Sequence, residues 1–114
     1  MPYLSIQTNL PISEKAEQTI LKSASALVAR ELEKPESFVM VALQPDLPML
    51  FAGTDDPVAF LELKSVGLPA QKTKSLCRLL CELIGDHLGI IPDRVYVKFI
   101  DVKHGMWGWK GDMF

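Results

Sequence analysis

A repeat runs through this sequence and limits what it can fold into. The stretch Lys34-Pro35-Glu36-Ser37-Phe38-Val39 returns as Ile91-Pro92-Asp93-Arg94-Val95-Tyr96, and the two halves begin correspondingly, near Pro2 and Val58. Each half reads as strand, helix, strand. In the first, Tyr3 to Asn9 alternates as a strand does, and Pro11-Ile12-Ser13 turns the chain, with Ser13 as N-cap of a helix running to about Leu32. Ala16, Ile20, Ala24, Leu27, Val28 and Leu32 fall on one face of that helix, while Glu14, Lys15, Lys22 and Arg30 fall on the other. Lys34-Pro35-Glu36-Ser37 breaks it, and Phe38 to Leu43 follows as a buried strand closed by Gln44-Pro45-Asp46. In the second half Val58 to Val66 is the strand, Gly67-Leu68-Pro69 the turn and Ala70 to Leu88 the helix, with Leu76, Leu80, Leu83 and Ile84 as its buried stripe. A break at Gly89 to Asp93 leads to a last strand, Arg94 to Asp101.

Two right-handed β-α-β units in one chain predict an α+β fold: a four-stranded sheet with both helices on one face, formed by residues 1–114 as a single domain. The other face stays open. On it Tyr96, Lys98 and Ile100 of the last strand and Val58, Phe60, Glu62 and Lys64 of the third are too apolar for solvent and too polar for a dry core, which favours self-association.

A net charge of −2 leaves no basic footprint for nucleic acid. The longest apolar runs, such as Phe38 to Leu43, are far short of the roughly 20 residues a membrane helix needs. The first residues lack the charged start and apolar block of a signal peptide, so the expected location is cytoplasmic, or outside the cell by a route without a signal. Cys77 and Cys81 sit four apart in a leucine-rich helical pattern and read as reduced core thiols. His87 and His104 have no metal or triad partners in the sequence and read as surface residues.

Pro2 carries two readings. It suits the first residue of an edge strand, where no ladder donor is needed. It also follows Met1, whose removal is favoured by a small second residue, and a freed Pro2 would place a secondary amine at the start of a rigid strand. An α-amine titrates near ~7.7–8.0, so modest desolvation or a nearby cation leaves it neutral and basic at physiological pH. At the other terminus, Lys103 to Phe114 interleaves three glycines with Met106, Trp107, Trp109, Met113 and Phe114. The segment suits a short hairpin that needs a surface to bury against.

Met1-Pro2, Lys34-Pro35, Pro45-Asp46, Ser65-Val66-Gly67, Pro92-Asp93-Arg94-Val95-Tyr96 and Gly108-Trp109, in this order and spacing, resemble the macrophage migration inhibitory factor and D-dopachrome tautomerase family over essentially the whole chain. The resemblance implies the tautomerase fold and a homotrimer whose sheets close around a central channel, with active sites between subunits. It implies keto-enol tautomerisation of phenylpyruvate-like α-keto acids without a cofactor or metal, with the Pro2 amine as the base. Lys34 takes the position of the lysine that binds the substrate carboxylate or carbonyl, and its charge would favour the neutral amine. Val66 takes the position whose backbone N–H contacts substrate, with Ser65 beside it. Tyr96 matches a tyrosine contributed by a neighbouring subunit, and Phe38, Trp109 and Phe114 match aromatic pocket positions.

Three departures from the family pattern stand out. Val58 and Leu61 stand where vertebrate members carry a C-x-x-C pair, so the thiol-oxidoreductase activity ascribed to that pair is not expected. Lys98 replaces an asparagine and adds a cation at the pocket mouth. Trp107 replaces a small aliphatic residue near the pocket and bears on substrate size. A rival implication is a cytokine-like protein that keeps the fold and engages a protein receptor through its surface.

Overall fold

A computed structural model describes residues Met1–Phe114. Strand β1 (Pro2–Thr8) leads to helix α1 (Glu14–Leu32), a 3₁₀ turn (Glu36–Phe38) and strand β2 (Met40–Gln44). The plan then repeats: β3 (Ala59–Val66), a 3₁₀ turn (Ala70–Lys72), α2 (Thr73–Leu88), a 3₁₀ turn (Pro92–Arg94) and β4 (Val95–Val102). A hairpin of β5 (Gly108–Trp109) and β6 (Asp112–Met113) ends the chain. The sheet order is β2-β1-β3-β4; β1 and β3 are antiparallel at the centre, and each carries its own half's second strand in parallel on the outside.

The helix ends follow from their residues. The Ser13 hydroxyl accepts the Ala16 N–H at 3.1 Å, and Glu14 and Glu17 place negative charge in the first turn of α1. All five residues that α1 buries (Ile20, Ala24, Leu27, Val28 and Leu32) were on the predicted stripe, and so were all four that α2 buries. They pack on Leu4, Ile6, Leu61 and Leu63 from the two central strands, so both halves share one apolar core. Thr8 joins them further: its buried hydroxyl donates to the Val58 carbonyl at 2.7 Å and accepts the Leu10 N–H at 3.3 Å. No helix is long and apolar enough to cross a membrane.

Two elements differ from the sequence reading. Phe38 ends a 3₁₀ turn instead of opening β2, and β2 is an edge strand with Met40, Ala42 and Gln44 exposed rather than a buried one. Only Val41 and Leu43 pack toward the core, because alternate residues point to the open face, and those of β2 lack a flanking strand on one side. Ala70 to Lys72 forms a 3₁₀ turn in which Thr73 N–H reaches the Ala70 carbonyl, and the α-helix starts only at Thr73.

The open face is a grid. Met40, Tyr3, Lys64 and Ile100 form one row across the sheet; Ala42, Ser5, Glu62 and Lys98 the next; Gln44, Gln7, Phe60 and Tyr96 the third. Glu62 stands between two cations, 3.3 Å from Lys64 Nζ and 3.8 Å from Lys98 Nζ. These pairs are partly exposed and contribute little to stability.

Candidate active site

The start of the chain is held inside the fold. Pro2 is fully buried as the first residue of β1, opposite Ser65, and Met1 before it is only 7% exposed. The two lie in a cleft of about 340 Å³ whose walls include Phe38, Met40, Trp107 and Trp109. Burial, and after it the positive charge of Lys34, hold the amine of Met1 below the usual α-amine range. Lys34 is exposed, and its backbone N–H is fixed to the Ala29 carbonyl at 3.0 Å in the turn that closes α1.

The aromatic wall is built by the hairpin. Lys110 and Gly111 have φ of 58° and 75°, the two-residue turn of mirror-image type that suits tight hairpins. Phe114 N–H donates to the Trp107 carbonyl at 2.9 Å and its carbonyl accepts from Gly105 at 3.1 Å, so the last residue is tied back beside the cleft. Phe38 meets Trp109 edge to face at 5.4 Å and Phe114 at 6.3 Å, and Trp109 lies 6.0 Å from Phe114. Trp109 and Phe114 nevertheless remain 47% and 41% exposed, so the wall has an uncovered side.

Ser65 and Val66 end β3 beside Pro2, both buried. Sequence reading missed Asp101, which pairs with Ser65 and accepts the Leu68 N–H at 2.9 Å, fixing the turn at Gly67. A lone aspartate at the end of a strand gave no signal for that role.

Tyr96 and Lys98 are not brought to the amine within one chain. Tyr96 pairs with Phe60, five residues along β3 from Ser65, or about 17 Å at strand rise, and is 62% exposed. Lys98 pairs with Glu62 on the open face. His87 and His104 are exposed. Cys77 and Cys81 are free and only half-buried at the edge of the core, not inside it. Burial raises the Cys81 thiol pKa, and the neighbouring Cys77 raises it further by its charge and a hydrogen bond, which disfavours a reactive thiolate.

The family described as Macrophage migration inhibitory factor (MIF) matches residues 1–114. A macrophage migration inhibitory factor homolog of Brugia malayi is 36% identical over 115 residues, spanning 100% of this chain and 99% of that protein. Macrophage migration inhibitory factor of Mus musculus is 35% identical, again over 100% of this chain and 99% of that protein. The crystal structure of a macrophage migration inhibitory factor homologue from Prochlorococcus marinus superposes with a TM-score of 0.93 at 38% identity, covering 98% of each chain.

Proposed function

The chain belongs to the macrophage migration inhibitory factor family, and from that premise we propose that it is a keto-enol tautomerase of phenylpyruvate-like α-keto acids with Pro2 as general base. The observation that carries this reading is the buried chain start: the Met1 amine, next to Pro2 in an aromatic-walled cleft, is disfavoured as a cation by burial and by Lys34. Once Met1 is removed, the Pro2 nitrogen changes from an amide to a secondary amine in those surroundings. As the neutral form it takes a proton from the substrate carbon next to the carbonyl, and the electron pair of that C–H bond moves to make the enolate. Lys34 holds the substrate carboxylate or the developing oxyanion, the Val66 N–H with Ser65 beside it contacts the substrate, and the protonated Pro2 returns its proton to oxygen. Phe38, Trp107, Trp109 and Phe114 hold the ring, and the bulk of Trp107 limits its size.

The working unit in this reading is a homotrimer of one-domain chains. Tyr96 and Lys98 stand far from their own chain's amine, and the exposed Met40 and Tyr96 leave apolar surface uncovered; a neighbouring copy would cover that surface and bring Tyr96 and Lys98 to an adjacent cleft. The free thiols Cys77 and Cys81 suit a reducing, cytoplasmic setting. The test is turnover of phenylpyruvate by protein whose N-terminus is confirmed by mass, with sedimentation at micromolar concentration. Turnover by a species of three chains is expected. A fully processed trimer without activity would replace this reading with a surface-binding, cytokine-like role, and a mass of one chain would remove the shared site.

A further inference from the structure

Tyr96 is exposed, yet its ring has a neighbour within its own chain. The Phe51 ring lies 4.7 Å from it, tilted by 40°, and Phe51 comes from the connection between β2 and β3, far from Tyr96 in sequence. That connection is tied down by one side chain. Arg94 donates from Nη1 to the Phe51 carbonyl at 2.7 Å, from Nη2 to those of Asp56 at 2.8 Å and Thr54 at 3.3 Å, and from Nε to that of Pro57 at 3.2 Å. Its guanidinium carbon also lies 5.1 Å from the centre of the Phe51 ring. Within the loop, Phe51 and Thr54 exchange backbone hydrogen bonds of 3.0 and 3.1 Å around Ala52 and Gly53, at φ of 53° and 76°. Ala52 is strained there, and such a turn persists only where its surroundings hold it. A planar fork with several donors can satisfy these carbonyls together, which the single ammonium of lysine does not.

We propose that Arg94 and Phe51 are positioning residues for Tyr96: Arg94 fixes the loop from 51 to 57, and the fixed Phe51 ring holds the Tyr96 ring in the orientation it presents to the amine cleft of a second copy. The inference rests on the reading that Tyr96 completes a neighbour's site. An exposed tyrosine left free would have to be ordered each time substrate binds, so a ring already held in place strengthens binding without touching the chemistry. Loss of Phe51 therefore falls on KM rather than on kcat.

The chain has two tyrosines, Tyr3 and Tyr96, so protein labelled with 3-fluorotyrosine reports each by ¹⁹F NMR. In Phe51→Leu the Tyr96 signal shifts or broadens while that of Tyr3 stays. KM for phenylpyruvate rises about 2- to 10-fold, the scale of one lost aromatic pair, with kcat changed less than about twofold. Phe51→Tyr keeps the ring and restores KM, and the two original signals persist beside the one new signal of the added tyrosine. Arg94→Lys repeats the Phe51→Leu pattern, and should that variant fail to fold, the two Phe51 variants decide alone. A normal KM in Phe51→Leu, alongside a raised KM in Tyr96→Ala, overturns this inference whatever the spectra show. A normal KM in Tyr96→Ala overturns the placement of Tyr96 itself, and the inference with it.

Discussion

In the first half of the chain the joint between helix and strand carries Lys34 and Phe38 to the buried start of β1, whereas the matching joint of the second half carries Arg94 and Tyr96 to the opposite end of the sheet. The two are built alike. Each closes its helix with a left-handed residue, Glu33 or Gly89, and passes through one 3₁₀ turn beside a proline into a strand parallel to its own half's first strand. They part because β1 and β3 run antiparallel: β2 starts near Pro2, while β4 starts beside Ala59, which faces the far end of β1 at Thr8. Backbone geometry is thus repeated while side chains diverge. Where one joint has an ammonium near an amine, the other has a guanidinium clamped on carbonyls.

Leaving Met1 in place is the strongest way to break the first end. It keeps the Pro2 nitrogen as an amide with no useful basicity and fills the cleft with the Met1 side chain, while the fold at the other end is untouched. Positioned general bases contribute about 10²–10⁴-fold, so a loss of that order is expected against processed protein in the same assay. Equal rates from the two forms would remove Pro2 as the base.

The second effect in size compares the joints directly. Lys34→Ala removes the cation that, after burial, lowers the Met1 amine pKa and, in the proposed mechanism, that of the freed Pro2, so the acid limb of the pH–rate profile moves to higher pH, and KM rises about tenfold or more for loss of the proposed charge-assisted contact to the substrate carboxylate. Ile91→Ala changes the corresponding, exposed residue of the second joint and leaves both profile and KM alone. Stability follows the same sign. In the chain that keeps Met1 the native amine is depressed, so the folded chain binds fewer protons than the unfolded chain between the two pKa values, and stability is lost as pH falls through that window. In Lys34→Ala this loss is smaller. A profile that does not move would separate Lys34 from the amine.

Local features were the legible ones. The stripes of α1 and α2, the Ser13 cap and the repeated joints are set by spacing within a few residues, and the structure keeps them. The exposure of β2 was not legible, because Met40 to Gln44 has the composition of a core strand and only the sheet order leaves it at an edge. Pro2, Lys34 and Phe38 could be grouped before the fold was known through family likeness. Arg94 could not be joined to Phe51, since its partners are main-chain carbonyls, which every residue has. The side chain of Asp101 likewise binds a backbone N–H and leaves no pattern.

The smallest effect concerns the left-handed residue that both joints need. Gly89, at φ 68°, adopts it freely, while Glu33 holds it at φ 54° with a side chain attached, a strain of about 1–2 kcal/mol for a non-glycine residue. A Cβ at Gly89 would meet nothing within 4 Å, so Gly89→Ala tests backbone strain alone and should destabilise by about 1 kcal/mol. Glu33→Gly relieves the strain, but glycine gains freedom in the unfolded chain, and the 3.2 Å contact between Glu33 and Lys72 is lost. That contact is worth little, because the Glu33 side chain is 82% exposed and Lys72 keeps its 2.8 Å bond to the Glu31 carbonyl. A net gain of about 0–1 kcal/mol is expected, read as a higher urea midpoint at unchanged slope and fixed protein concentration. If Glu33→Gly lowers the midpoint as much as Gly89→Ala does, the ion pair holds the end of α1 and the two joints are not equivalent in their backbones.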